Sequence, residues 1–285
     1  MIEVKNLKKS FSDKEVLKGL SFSIKNGEFY GLLGPNGAGK TTTISILSSL
    51  LPANFGEIQI NNLDLKTNTN KIKNIIGVVP QEIALYNELS AMENLKFWGG
   101  LYNISGSELN NRAKELLQLV GLEDRKDEKV KNYSGGMKRR INIAAALIHK
   151  PKILFMDEPT VGIDPQSRNL IYEIIERQKK EGVTIIYTTH YMEEAERFCD
   201  RIAIIDQGNI IAEGTMEELK KDNSVSETIA INFSKLSENN LTAIQEFWKE
   251  IDISENRIHF YSSDVKNDLL KLITYCNQLG LEIIN

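Results

Sequence analysis

Cysteine is scarce: the 285 residues hold 2, Cys199 and Cys276, with neither metal-ligand nor disulfide spacing. That excludes a disulfide-held scaffold and a cysteine-based zinc site, and it fits a reducing cytosolic compartment. No apolar run approaches the ~18 residues that a membrane-spanning helix needs. The N-terminal "MIEVKNLKKSF" lacks the apolar centre of a secretion signal. Neither sign of charge prevails; 35 basic against 39 acidic side chains leave −4, which argues against a nucleic-acid surface. Internal repeats and low-complexity tracts are also missing. What is present, 41% hydrophobic and 26% charged residues, is the composition of a folded globular chain. Its length suits one large domain, or one domain and a small appendage. Residues 221–285 carry 6 basic and 10 acidic side chains, so the main body is neutral and this tail holds the whole imbalance.

Short apolar runs alternate with helical patterns over residues 1–220, as a mostly parallel sheet with flanking helices requires. "EFYGLLG" (28–34) reads as a buried strand ending in glycine. The helix that follows, "TTTISILSSLLP", sets Ile44, Leu47, Leu50 and Leu51 on one face, with Pro52 closing it. "NIIGVVPQ" (74–81), "KILFMDEP" (152–159) and "VTIIYTTH" (183–190) read as further strands. "RIAIIDQGNIIAEG" (201–214) is a hairpin turning at Gln207-Gly208-Asn209.

The insert from about Ser90 to Lys150 is helical throughout and suggests a subdomain. Leu95, Trp98, Leu101 and Tyr102 share one stripe; Leu109, Ala113, Leu116, Leu117 and Val120 share another, stopped by Gly121. The tail, 221–285, reads as strand, helix, strand, helix, strand in a small α/β extension. Ser237 and Asp264 cap its helices and Gly280 stops the second.

Gly34-Pro35-Asn36-Gly37-Ala38-Gly39-Lys40-Thr41 matches the phosphate-loop pattern G-x-x-x-x-G-K-[ST]. Glycines let backbone N–H groups turn inward around phosphate oxygens, and the helix beginning at Lys40 aims its positive end at the same anion. Lys40 reaches the β- and γ-phosphates in this pattern, and the Thr41 hydroxyl, followed by Thr42, ligates Mg²⁺. A chance match occurs in about one chain of this length per hundred, and a strand before with a helix after makes it rarer still. Asp157 and Glu158 then end a buried strand at the sheet edge where ligands bind. Asp157 suits the outer coordination sphere of Mg²⁺, and Glu158, pointing the other way, suits polarising an attacking water.

On these motifs the chain resembles the nucleotide-binding subunit of an ATP-binding cassette (ABC) transporter over residues 1 to about 220. "YSGGMKRR" (133–140) resembles the family signature, Gln81 the glutamine loop, "VGIDP" (161–165) the aspartate loop and His190 the switch histidine, in the family's order. The implied fold is a P-loop ABC domain with a mostly parallel core sheet, an antiparallel β portion and the helical insert. In that family two domains pack head to tail, and each ATP lies between the loop of one and the signature of the other. The resemblance therefore implies that Ser134, Gly135 and Gly136 face the γ-phosphate of a partner's ATP.

Further roles follow from the resemblance residue by residue. Phe11 matches an aromatic that stacks on adenine; a core phenylalanine is the alternative. Gln81 would contact Mg²⁺ and the attacking water, His190 the γ-phosphate. Asp164 would reach across the dimer, cap the helix at Pro165, or both. Tyr133, Met137 and Phe11 depart from the commoner leucine, glutamine and tyrosine. Lys138, Arg139 and Arg140 are equally readable as a solvated helix face. No role falls to His149 or His259.

The resemblance implies an Mg-dependent ATPase that forms a homodimer in the family's manner, on the inner face of the cell membrane beside a separate transmembrane permease. "YSGGM" before basic residues resembles the drug- and antibiotic-resistance exporter branch. After Gln81, Leu85, Tyr86 and Leu89 would anchor the permease, and packing into the helical core accounts for them equally well. A soluble ABC ATPase with a non-transport target is the alternative.

Overall fold

Phe22 and Ile24 are buried while the alternating Ser21 and Ser23 are exposed, the period-2 pattern of a strand with one face on a core. They lie in β2 (Lys14–Ile24), which pairs antiparallel with β1 (Ile2–Phe11). The structure, a computed structural model, describes every residue except 13, 223–226, 235, 237, 249–250, 255–256, 263–264, 282 and 285. The chain divides into two compact units, Met1–Met216 and Glu217–Asn285.

In the first unit, β3 (Phe29–Leu33) runs through a glycine-rich turn into α1 (Lys40–Leu47). β4 (Phe55–Ile60) and β5 (Leu63–Asp64) join β1 and β2 in an antiparallel sheet ordered β2-β1-β4-β5. α2 (Thr69–Lys73) precedes β6 (Ile76–Val79). Three helices follow, α3 (Ala91–Leu101), α4 (Gly106–Leu119) and α5 (Gly135–Leu147), with two short 3₁₀ turns between the last two. The remaining elements are β7 (Ile153–Asp157), α6 (Pro165–Lys180), β8 (Thr184–Thr189), α7 (Met192–Phe198), β9 (Arg201–Asp206) and β10 (Asn209–Gly214).

The central sheet is ordered β10-β9-β3-β8-β7-β6, parallel except for β10 at its edge. β3, β7 and β8 are buried at every position, because both faces are covered. Alternate residues serve opposite cores: Leu154 and Met156 pack with the α3–α6 helices, Ile153 and Phe155 with α1 and the antiparallel sheet. Register aligns the strand ends, with Leu33 opposite Thr189, Asp157 opposite Thr188 and Val79 opposite Met156. Gly34, Gln81, Glu158 and His190 therefore leave one edge of the sheet at nearly one level.

Three expectations are corrected. α1 stops at Leu47 instead of reaching Pro52; Ser49 takes φ 59° and Leu50 is 68% exposed. Leu101 is 60% exposed, off the stripe on which Leu95 is buried, because α3 ends there and the chain turns at Asn103. In the tail, Ile251–Ser254 is a strand that the expected order of strand, helix, strand, helix, strand does not contain.

The second unit comprises α8 (Met216–Asp222, which begins in the first), β11 (Glu227–Asn232), α9 (Glu238–Phe247), β12 (Ile251–Ser254), β13 (Arg257–Ser262) and α10 (Val265–Gln278). Its antiparallel sheet is ordered β11-β13-β12, and Phe233 bridges to Ile283 in place of a full last strand. Gly280, at φ 67°, ends α10 as its left-handed conformation requires. Ser237 and Asp264 lie outside the described residues. Among the described residues no helix is long and apolar enough to cross a membrane.

Candidate functional site

The turn from β3 to α1 needs its glycines for two physical reasons. Gly37 and Gly39 take φ 83° and 111°, in the left-handed region. At Gly34 a Cβ would stand 2.1 Å from the Ile205 carbonyl oxygen, so only glycine lets the loop pass over β9. Pro35, Asn36 and Gly37 are exposed at the crest, while Ala38 is buried beneath. The first turn of α1 holds no acidic residue, which leaves its positive end uncompensated for an anion.

Asn36, Gly37, Gly39, Lys40, Thr41 and Thr42 line a cavity of about 710 Å³ together with Gln81 and Glu158. Lys14 and Lys18 of β2 also face it, two cations that sequence reasoning passed over. Eight of the predicted residues thus line one cavity. The buried Lys40 ammonium donates to the carbonyls of Gly34 at 2.7 Å and Pro35 at 3.0 Å, and pairs with Glu158 at 3.2 Å.

Glu158 is the hub. Besides Lys40 it accepts from Gln81 Nε2 at 3.4 Å, and His190 Nδ1 lies 3.4 Å from its Oε1. Its backbone takes φ 44°, a strained value for a residue with a side chain, held by a 3.0 Å bond from its N–H to Thr188 Oγ1. That reversal directly after β7 separates the directions of the two adjacent carboxylates. Asp157 stays under the loop, where its Oδ1 accepts from Thr188 at 2.6 Å and Thr41 at 3.2 Å. Burial pushes its pKa up against those two bonds, and neighbouring Glu158 adds to the rise.

Other predicted residues gather elsewhere. Ser134 caps α5, its Oγ accepting from Met137 N at 3.3 Å. Asp164 caps α6, its Oδ1 accepting from Ser167 N at 2.9 Å, and this bond holds its pKa down. The two helix starts adjoin: a Cβ at Gly136 would lie 2.1 Å from Ser167 Oγ and 3.2 Å from Asp164 Oδ2. Ser134, Gly135 and Asp164 are exposed, Gly136 is buried, and none of the four lines the cavity. Phe11 does not line it either. It is 46% exposed at the end of β1, paired with Lys14, so it is no core residue.

The solvated-face reading of the basic trio fails for two members. Arg139 and Arg140 are 5% and 7% exposed. Arg139 donates to the carbonyls of Pro80 and Gln81, Arg140 to that of Val120. The departures Tyr133 and Met137 are also buried, and both meet Arg125: the Tyr133 hydroxyl donates to its carbonyl, and the Met137 sulfur accepts from its guanidinium.

Sequence reasoning missed Glu194, a carboxylate buried in α7 that accepts from Thr160, Tyr172, Tyr187 and Thr189. The available signal was its helical spacing with Phe198, which sets a glutamate on a buried face.

Residues 17–161 match the family described as "ABC transporter". Linearmycin resistance ATP-binding protein LnrL of Bacillus subtilis is 50% identical over 258 residues, 90% of this chain and 83% of that protein. Nod factor export ATP-binding protein I of Burkholderia lata is 40% identical over 263 residues, 92% of this chain and 86% of that one. The dimeric post-hydrolysis state of the ATP-binding cassette MJ0796, bound to ADP and Pi, superposes with TM-score 0.70 at 30% identity, over 76% of this chain and 99% of that chain. With the phosphate loop, the adjacent carboxylates and the parallel sheet in place, these matches identify the chain as a member of the ABC transporter family, one of its ATP-binding, ATP-hydrolysing subunits.

Proposed function

We propose that two copies of this chain close around two ATP molecules, each held between the phosphate loop of one and Ser134, Gly135 and Gly136 of the other. The observation that carries this reading is the separation inside one chain. Lys40, Thr41, Gln81 and Glu158 share a cavity, whereas the capped, exposed start of α5 stands off it beside Asp164. A helix start of this kind is an anion site without an anion of its own chain to serve.

Within the cavity, Lys40 and the loop N–H groups bind the β- and γ-phosphates of ATP, with Gly34 to Gly39 shaping the turn. The Thr41 hydroxyl, the Asp157 carboxylate and the Gln81 amide oxygen are hard oxygen donors, which fits Mg²⁺. Among the described residues no cluster of three His, Cys, Asp or Glu could hold a metal alone. One carboxylate and a hydroxyl, completed by substrate phosphates, suit a magnesium site of this type. When bound, Mg²⁺ neutralises charge on the transferring phosphoryl group. Glu158 accepts a proton from the attacking water as the γ-phosphorus bond to the bridging oxygen breaks. His190, beside Glu158, holds the γ-phosphate, and Gln81 orients the water. Phe11, exposed on the hairpin, offers its ring to adenine, with Thr42 at the loop's end.

Residues 1–220 form the nucleotide-binding domain in this reading, with the insert at about 90–150 as its helical subdomain and 221–285 as a small α/β extension. Hydrolysis drives export through a separate transmembrane permease, so the chain sits peripherally on the cytoplasmic face of the membrane. An apolar groove of about 490 Å³ bordered by Leu50, Pro80, Trp98 and Leu101 supports such docking. Tyr86, 50% exposed and packed edge-on against Phe97, extends the apolar surface; Leu85 and Leu89 are half-buried beside it. The resemblance to LnrL favours a cargo of the drug or antibiotic class.

Glu158→Gln, tagged and purified with ATP and Mg²⁺ from detergent-solubilised membranes of its own host, tests the reading. A multi-span polypeptide recovered in near-equal amount is expected. A homodimer alone, recovered from cytosol as readily as from membranes, would overturn the permease and favour a soluble ABC role.

A further inference from the structure

Arg139 lies one and a half turns inside α5, counted from its cap Ser134. Its guanidinium is buried, and among the described residues it makes no ion pair. Nη1 donates to the Pro80 carbonyl at 2.6 Å and Nη2 to the Gln81 carbonyl, while Nε has no hydrogen-bond partner. Burial pulls its pKa down, and only the charge of Asp157 pushes back. A buried cation without a carboxylate is a costly way to fill space that an apolar side chain could fill. What it achieves is geometric. A planar fork with two donors fixes two consecutive carbonyls at once, which a single-point ammonium cannot do.

Those carbonyls belong to the segment that aims Gln81. The end of β6 is Val79, and Gln81 stands two residues beyond it with its side-chain amide 3.4 Å from Glu158. We propose that Arg139 is a positioning residue for Gln81, tying the chain just after β6 to α5 so that the Gln81 amide is held at Glu158. The tie has a second end. α5 begins with Ser134, Gly135 and Gly136, so the half-site turned toward a partner's ATP and the residues around the chain's own cavity share one rigid helix and one guanidinium. This rests on the assignment of Gln81 and Glu158 made above.

The test is a double-mutant cycle on the full chain with ATP and Mg²⁺, measuring kcat, KM and thermal melting for Arg139→Met, Arg139→Lys, Gln81→Ala and the paired changes. Arg139→Met is expected to lower kcat about tenfold to a hundredfold, the scale of a small misplacement, with KM for ATP changed less than about threefold. Arg139→Lys recovers part of the loss. In the Gln81→Ala background, replacing Arg139 costs less than about twofold in kcat, because there is no amide left to aim. Should the Met variant not fold, the Lys variant carries the same cycle. Losses that multiply, with Gln81→Ala itself impaired, would overturn the tether and leave the site assignment standing. Full kcat in Gln81→Ala alone would overturn the assignment of Gln81 and the inference with it. A kcat deficit matched by the unfolded fraction in melting would reduce Arg139 to a packing role and also overturn the proposal.

Discussion

The Glu194 carboxylate and the Thr160 hydroxyl are joined by a 2.6 Å hydrogen bond buried between α7 and the turn after β7. Thr189 donates to the same carboxylate at 2.7 Å, Tyr172 at 2.8 Å and Tyr187 at 2.9 Å. Four hydroxyls solvate a buried anion that, among the described residues, makes no ion pair. Thr160 opens the turn leading to Asp164, and Thr189 precedes His190, so one carboxylate fixes both segments. Hydrogen bonds to a buried charge contribute more than neutral ones, and orphaned hydroxyls are costly. Glu194→Gln should therefore lower stability by about 1–3 kcal/mol, and Glu194→Ala by more. The check is the urea midpoint at unchanged m-value, with a parallel fall in ATP hydrolysis as His190 and Asp164 lose their anchor.

Asp157 leads to a prediction of opposite sign. Its pKa is raised by burial, so the fold binds its proton more tightly than the unfolded chain does. Ionised at neutral pH, the group costs stability. That cost fades as pH falls through the raised folded value toward the ordinary carboxylate range. Asp157→Asn removes the charge and retains an oxygen that can accept from Thr188 and Thr41. Without nucleotide or Mg²⁺ it should melt a few degrees above wild type at pH 7, the shift that ~1 kcal/mol produces in a domain of this size. The gap should narrow toward pH 4. Hydrolysis should be lost at the same time, since the carboxylate is a proposed Mg²⁺ contact. A lower melting temperature at pH 7 would refute the burial argument.

The loop, the two carboxylates and the helical insert were legible because their signals are local. Glycines before a lysine after an apolar run allow few other structures, and Asp157 and Glu158 close such a run. What the chain does to Glu158 was not legible: its φ of 44° arises from the pull of Thr188 on a neighbouring strand. Arg139 and Arg140 misled for a related reason. Adjacent basic residues read as a wet face, yet their partners are carbonyls that are 58 and 20 residues away in sequence. The early end of α1 was hidden because Leu50 and Leu51 extend the apolar stripe past the point where Ser49 turns the backbone left-handed. The place of Ser134 was legible only through the signature resemblance, while its standing clear of the cavity depends on how α5 packs beside α6.

Turnover by Glu158→Gln is the next prediction. The amide keeps the size of the side chain but can no longer take a proton from water. ATP binding should persist, and hydrolysis should slow at least ~100-fold, the scale of losing a general base. Single-turnover release of phosphate, compared with filter-bound ATP, separates the two quantities. Near-normal release would remove Glu158 from the role.

Gly135 and Gly136 stand side by side and should fail in different ways. A Cβ at Gly136 meets Ser167, 2.1 Å from its Oγ and 2.4 Å from its Cβ, where α5 and α6 begin together. Gly136→Ala is thus an overpacking change, expected to cost about 1–3 kcal/mol of stability and to be partly relieved by Ser167→Gly. A Cβ at Gly135 has nothing within 4 Å in its own chain. Gly135→Ala should leave the melting temperature within the range of ordinary surface changes, roughly 0.5 kcal/mol. In the proposed dimer its effect should fall on nucleotide binding, the added methyl entering the space between the backbone N–H groups and a partner's γ-phosphate. In the Glu158→Gln background it should weaken ATP-driven dimerisation tenfold or more, about 1.4 kcal/mol, read by light scattering against concentration. A Gly135→Ala chain that dimerises normally with ATP would show that the start of α5 faces something other than the second nucleotide. A chain that loses both stability and dimerisation would show instead that Gly135, like Gly136, is held by packing within its own fold.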